Sequence, residues 1–341
     1  MKTLRFILFL LLLPLSMWYA VVMALRNWRY NRRNVQPTPN TIGIGNLLMG
    51  GTGKTPHTEY LIRLLEGRRV ALLSRGYGRK SKGYILADGE TGADMLGDEP
   101  AMMAKKFEGL TVAVCEDRVE GVKRLMQTDN PPDVVLMDDV YQHRSIRPAV
   151  NILLTEYSAP FFRDYILPFG NLREFRCGMR RADIIVVTKC PQGMSDIERN
   201  QFVKRLDVKE GQQVFFSYIE YGQPVPVYGG EDYTQADNLL VVTGIAHPEP
   251  LLKHLQKEHT VTHLRFSDHH GFGVSDCRKI KEAFDETVGS KAVITTEKDA
   301  VRMLVPEVRE LLGDLPLFYL PIKVRFFDEE AFNNTIIKKL S

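Results

Sequence analysis

The sequence predicts an α/β protein: a mostly parallel sheet covered by helices, P-loop NTPase-like in kind, with a second, smaller α/β lobe and an N-terminal membrane-associated helix. Three observations carry this reading. Continuous apolar runs recur along the chain with helix-like segments between them. A glycine-rich segment, GNLLMGGTGKTP (45–56), joins one such run to a helical pattern. Residues 6–25 hold no charge.

Length sets the domain count. A chain of 341 residues exceeds one ordinary domain of about 150 and accommodates two cores. Net charge is +3 with 44% apolar residues, the balance of an ordinary globular body. Nothing in it calls for a nucleic acid or an obligate protein partner. The four cysteines, Cys115, Cys177, Cys190 and Cys277, have neither CxxC spacing nor zinc-spaced histidine partners, so they read as reduced thiols.

The uncharged N-terminal run is about as long as the ~20 residues that cross a hydrocarbon core. Lys2 and Arg5 precede it, as in a secretory signal. Trp18, Tyr19, Arg26, Trp28, Arg29, Tyr30, Arg32 and Arg33 then form an aromatic and basic girdle suited to headgroups, which disfavours export. Pro14 would bend a helix there, fitting a segment that dips into one leaflet. Residues 1–34 are therefore expected to associate with a membrane surface, spanning or monotopic, with the rest of the chain on the cytoplasmic side.

Residues 40–46 read as a strand feeding the glycine loop. Pro56 suits the first turn of the next helix, which continues through Tyr60, Leu61, Leu64 and Leu65. Further runs at 69–74, 111–116, 133–139, 150–156 and 182–189 are continuous, as in parallel strands buried on both faces. A Gly-, Pro- and polar-rich stretch, 221–238, marks a boundary, giving a nucleotide-binding domain over 35–220 and a smaller lobe over 221–341.

The loop supplies the chemistry. Backbone amides along Leu48, Met49, Gly50, Gly51, Thr52 and Gly53 can converge on an anion. Lys54 can reach phosphate oxygens and Thr55 can put a hydroxyl on magnesium, so a phosphate-bearing ligand and Mg2+ are implied. Leu48 stands where the generic pattern has its first glycine. The run DVVLMDD ends in Asp138 and Asp139, acids at a strand tip that can hold the metal directly or through water. Asp98, ahead of Glu99 and Pro100, reads locally as a helix N-cap. The pair His269 and His270 reads as loop, and TTEKD (295–299) as a charged cap or a cleft cluster. Arg75, Arg79, Arg118, Arg173 and Arg176 read as surface charge unless one cleft gathers them. VVTKCP (186–191) has Pro191 where a guanine-reading TKxD has Asp, which weighs against the alternative reading, a membrane-tethered nucleotide switch or metallochaperone GTPase.

Taken in order, GNLLMGGTGKTP, LSRGYGR (73–79), GDEP (97–100), DDVYQH (138–143), GNLRE (170–174), DHH (268–270) and TTEKDAVR (295–302) resemble the tetraacyldisaccharide 4'-kinases of lipid A synthesis. That family's loop has the form GNxxxGGTGKTP, so Leu48 fits it. Val140 and Tyr141 stand where the family has Gly and Phe, and Phe169 and Asn171 where it has Ala and Pro. The resemblance implies transfer of the ATP γ-phosphoryl group to the 4'-hydroxyl of an acylated glucosamine disaccharide 1-phosphate at the inner membrane. It implies Asp98 as general base with a DHH histidine, His269 rather than His270, as its partner. It further implies Lys54 on the phosphates, Thr55 with Asp138, Asp139 or both on magnesium, and Arg118, Arg173 and Glu174 on the substrate.

Overall fold

The computed structural model describes residues 2–33, 35–229, 233, 235–268 and 270–340. The chain divides into two units, Met1–Ile219 with Val324–Ser341, and Glu220–Lys323. The smaller unit begins one residue before the expected boundary. It ends early: Val324–Ser341, assigned from sequence to the smaller lobe, returns to the larger unit.

In the larger unit, helix α1 (Lys2–Asn31) leads into β1 (Pro37–Asn46), α2 (Lys54–Leu64), β2 (Val70–Ser74) and β3 (Ile85–Leu86). Then come α3 (Ala93–Leu96), α4 (Asp98–Lys106), β4 (Thr111–Val114), α5 (Arg118–Met126), β5 (Val134–Met137), β6 (Arg147–Glu156), β7 (Ile184–Thr188), α6 (Asp196–Leu206) and β8 (Gln213–Tyr221). The smaller unit holds β9 (Val225–Pro226), β10 (Asn238–Thr243), α7 (Glu249–Leu255), β11 (Thr260–Arg265), α8 (Val274–Glu286), β12 (Lys291–Thr296), α9 (Glu297–Met303), α10 (Pro306–Leu312) and β13 (Leu317–Leu320). Strand β14 (Ile322–Phe326) and α11 (Glu329–Leu340) complete the chain.

The large sheet has the order β14-β8-β7-β6-β1-β5-β2-β4-β3. Pairs from β8 through to β4 are parallel and β3 is antiparallel on β4. Its central strands are buried along almost their whole length, because helices cover both faces. Strand β1 lies between β5 and β6, so the order runs outward in both directions from it. In open α/β sheets a ligand crevice forms outside the carboxyl ends of the strands at such a switch point. Helix α11 buries Phe332 and Ile336 in the core that also contains Phe215 and Phe326, with Phe332 stacked on Phe326 at 3.9 Å. This packing is what carries the C-terminal segment back.

The second sheet has the order β11-β10-β12-β13-β9, parallel except for β9. Its helices bury Ile280, Phe284, Met303, Val308 and Leu312 against Leu240, Val242 and Val293.

Helix α1 is two-sided. Ser16 and Met23 are buried, and Tyr19, Arg26, Asn27 and Tyr30 continue that face at helical spacing. Tyr19 donates to the Arg173 carbonyl at 2.8 Å, Ser16 Oγ accepts from Phe169 N at 3.0 Å, and Arg144 donates to Asn27 and Asn31. The opposite face exposes Leu15, Met17, Trp18, Val21, Leu25 and Trp28. Among the described residues no helix is long and apolar enough to cross a membrane.

Candidate functional site

The turn between β1 and α2 is shaped by glycine and by its neighbours. Gly50 and Gly53 take φ of 113° and 85°, backbone that side chains resist. Leu47 and Leu48 are buried and anchor the turn, with Leu48 bridged to Leu172. Segment 171–173 runs beside it: Met49 N donates to Asn171 O at 2.7 Å and Arg173 N to Leu47 O at 2.8 Å. Asn46 Nδ2 donates to Thr52 Oγ1 at 2.9 Å. Lys54 and Thr55 open α2, whose N-cap, Gly53, offers no side-chain acceptor to the first amides. Helix amides left in that way attract an anion.

The acid pair follows β5 on the same edge. Gly45 makes this possible, since a Cβ there would lie 2.6 Å from Tyr141 Cβ and 2.9 Å from its backbone nitrogen. Asp139 takes a left-handed φ of 46°. Its carboxylate accepts from Arg173 at 3.0 and 3.2 Å and lies 3.5 Å from Lys54 Nζ. Burial alone would raise its pKa, yet Lys54 and Arg173 together hold it below the ordinary carboxylate range.

Asp138 has the opposite environment. Burial and the neighbouring Glu99 carboxylate push it up to about 7 against the pull of Lys54. Its Oδ1 is buried without a hydrogen-bond partner. Thr55, Glu99 and Asp138 line one small cavity together with Thr58, Leu72, Ser74, Pro100 and Met103. A hydroxyl and hard carboxylate oxygens around an orphaned buried oxygen suit magnesium. Among the described residues no three His, Cys, Asp or Glu side chains converge as a complete metal site. The set therefore fits an ion that takes its other ligands from phosphate and water.

A second cavity, of about 310 Å³, opens beside Asp139 and is lined by Arg26, Tyr30, Arg75, Gln142, His143, Arg144, Ser145 and Arg173. Two of these come from α1. Its field is positive: burial, then Arg118, Arg75 and Arg26, lower the His143 pKa to about 4.

Two residues expected to touch substrate are interior. Arg118 has no exposed surface and donates to the carbonyls of Cys115 at 2.5 Å and Asp138 at 3.2 Å, so it holds the strand tip in place. Glu174 also has no exposed surface; it accepts from Gln142 at 3.1 Å and Arg181 at 2.8 Å. Gln142 donates in turn to Asn46 O at 2.8 Å, tying this network to the turn. Arg173 is partly exposed and grips the turn through Leu48 O at 3.2 Å and Asn46 Oδ1 at 3.1 Å.

Other expectations change locally. Gly97, not Asp98, is the N-cap of α4, and Asp98 is its first residue, next in the chain to cavity-lining Glu99. His269 lies outside the described residues. His270 is bound to Asp276 at 2.9 Å and stacked on Phe266, which makes it a brace of its own loop. Thr296 caps α9, and buried Asp299 accepts from Gly244 N at 2.9 Å. Sequence reasoning missed Glu99, Gln142, Arg26, His57 and Thr188. Glu99 and Gln142 sit inside quoted motifs and were within reach; Arg26 reaches the second cavity, and His57 and Thr188 the turn, only through folding.

Fold and site define a class, an α/β protein with its working residues at the carboxyl edge of a parallel sheet around a glycine turn and an acid pair. The family model described as tetraacyldisaccharide-1-P 4'-kinase matches residues 8–341. A tetraacyldisaccharide 4'-kinase of Bacteroides thetaiotaomicron is 42% identical, over 96% of this chain and 92% of that one. Another, of Flavobacterium johnsoniae, is 40% identical over 99% and 98%. A crystal structure of LpxK from Aquifex aeolicus in complex with ATP has a TM-score of 0.71 at 26% identity, covering 99% of this chain and all of that one. The chain belongs to the tetraacyldisaccharide-1-P 4'-kinase family.

Proposed function

We propose that this chain is an ATP-dependent lipid kinase that phosphorylates the 4'-hydroxyl of a tetraacylated glucosamine disaccharide 1-phosphate during lipid A synthesis, working on the cytoplasmic face of an inner membrane. One observation carries the reading: a single sheet edge brings together a glycine turn with Lys54, an acid that shares a small cavity with Thr55, and a basic cavity that reaches helix α1.

The turn from Leu48 to Gly53 receives the triphosphate as a P-loop. Its amides and Lys54 offset phosphate charge. Thr55 and Asp138, with Asp139 or Glu99 near them, hold magnesium, which neutralises charge on the phosphate oxygens when bound. Asp139 pairs with Lys54 until phosphate replaces it.

The acceptor is anionic and acylated. Arg26, Arg75, Arg144 and Arg173 give its head group a positive cavity. Exposed Leu15, Trp18, Val22, Leu25 and Trp28 on α1 lie in the interface with the acyl chains, which resist extraction at about 0.8 kcal/mol per CH₂. Arg118 and Glu174 shape this site from within rather than touching substrate. Asp98 accepts the proton of the attacking hydroxyl, the role that the family motif implies.

The test is transfer of labelled phosphate from ATP to the purified disaccharide 1-phosphate lipid in detergent with magnesium. Asp98→Asn is expected to lose turnover and keep ATP affinity. A folded wild-type sample that transfers no phosphate overturns the reading.

A further inference from the structure

Behind the glycine turn, two of its carbonyls are taken up by side chains that no part of the proposed chemistry uses. Thr188, the last residue of β7 and wholly buried, donates its hydroxyl to Thr52 O at 2.9 Å. His57, on α2, places Nδ1 2.7 Å from Gly53 O and Nε2 2.9 Å from Ser217 Oγ on β8. A carbonyl oxygen only accepts, so Nδ1 carries the proton and Nε2 accepts from the serine.

Peptide geometry turns these contacts into a consequence for the turn. In a trans peptide the carbonyl oxygen and the amide hydrogen of one unit point in opposite directions. Fixing Thr52 O toward β7 aims the Gly53 amide away from it, and fixing Gly53 O toward His57 aims the Lys54 amide out of the helix end. Gly53, at φ 85°, has no Cβ to restrict its backbone, and its carbonyl also accepts from His57 N at 3.2 Å.

We propose that Thr188 and His57, the latter set by Ser217, are positioning residues that hold the Gly53 and Lys54 amides in their phosphate-binding orientation. The inference rests on the turn being the ATP site, as proposed above. It also gives a role to Thr188, which in VVTKCP suggested a base-reading motif: its hydroxyl faces the back of the phosphate turn.

The experiment is equilibrium binding of ATP to the full chain in detergent, with KM for ATP and for the lipid measured alongside thermal melting. Thr188→Val keeps shape and removes the donor; His57→Leu removes the ring donor. Each is expected to weaken ATP binding about tenfold and raise KM for ATP while leaving KM for the lipid unchanged. Thr188→Ser restores binding, as does His57→Asn, which keeps an N–H near the Nδ1 position. If the first two variants do not fold, Ser217→Ala, which frees the histidine tautomer, is expected to weaken ATP binding at least threefold. Folded variants that bind ATP within twofold of wild type overturn the clamp. When Lys54→Ala weakens ATP binding in the same assay, only the clamp falls; when wild type itself binds no ATP, the proposed site falls with it.

Discussion

Lys54 Nζ lies 3.5 Å from Oδ1 of Asp139, and the same carboxylate is held by Arg173 at 3.0 Å. The lysine of the glycine turn and the acid at the β5 tip thus form one charge cluster, in which a phosphate would compete with Asp139 for the ammonium. Lys54→Ala removes a charge that lowers the pKa of both strand-tip acids. ATP affinity and turnover are both expected to fall, with kcat/KM for ATP down about 10²–10³-fold. Steady-state kinetics with varied ATP checks this; wild-type kcat/KM in a folded Lys54→Ala sample would remove the lysine from the phosphate site.

Asp138 predicts a pH signature. Its pKa in the fold, about 7, is raised from an ordinary value near 3.8. The folded state therefore holds its proton more tightly than the unfolded chain, and stability declines as pH rises from about 4 to about 7, then levels off. Asp138→Asn lacks this decline. In chelator, the variant and wild type should melt alike near pH 4, and the variant should melt several degrees higher at pH 8. Added magnesium is expected to raise the wild-type melting temperature at pH 8 and leave the variant unmoved. A constant gap between the two across pH would contradict the assignment.

Gly45 and Gly51 separate stability from binding. A Cβ on Gly45 collides with Tyr141, and overpacking of this kind costs about 1–3 kcal/mol. Gly45→Ala is expected to lower stability by that amount in denaturant melts and to lose turnover as the Asp138–Asp139 turn shifts. A Cβ on Gly51 meets nothing within 4 Å. Gly51→Ala should therefore melt within about 0.5 kcal/mol of wild type, and weaken ATP through its closer approach to phosphate. Equal stability losses in both variants would refute this division.

The exposed face of α1 is open to a vesicle assay. Trp18 and Leu25 are 67% and 62% exposed. Replacing both by serine removes apolar surface worth about 1.5–3 kcal/mol per side chain when fully buried. Flotation with anionic lipid vesicles is expected to show at least tenfold weaker association, with ATP affinity unchanged because neither residue lines the turn. Unaltered flotation would exclude this face as the lipid contact.

Much of the site was legible because its chemistry is local. A strand, a glycine turn, Lys54 and Thr55 are contiguous, and the acid pair directly follows four apolar strand residues, so order along the chain already implied one sheet edge. The change of unit near residue 220 was legible from composition. What escaped was decided at long range. Glu174 and Arg118 carry charges that usually mean surface, yet the first is held inside by Gln142 and Arg181 and the second by carbonyls of Cys115 and Asp138. The helix of residues 329–340 looks like any helix following the smaller lobe until Phe332 finds Phe326.

By itself, the sequence determined the α/β class, the glycine turn with its lysine and hydroxyl, the acids at the strand tip, and an uncharged N-terminal run, because each is written in neighbouring residues and short-period patterns. Only tertiary structure decided that Asp139 meets Lys54 while Asp138 shares a cavity with Glu99, that Arg26 of α1 joins the basic cavity, and that Thr188 and His57 stand behind the turn. Those outcomes depend on which strands become neighbours and which charges lose water, and a linear pattern specifies neither.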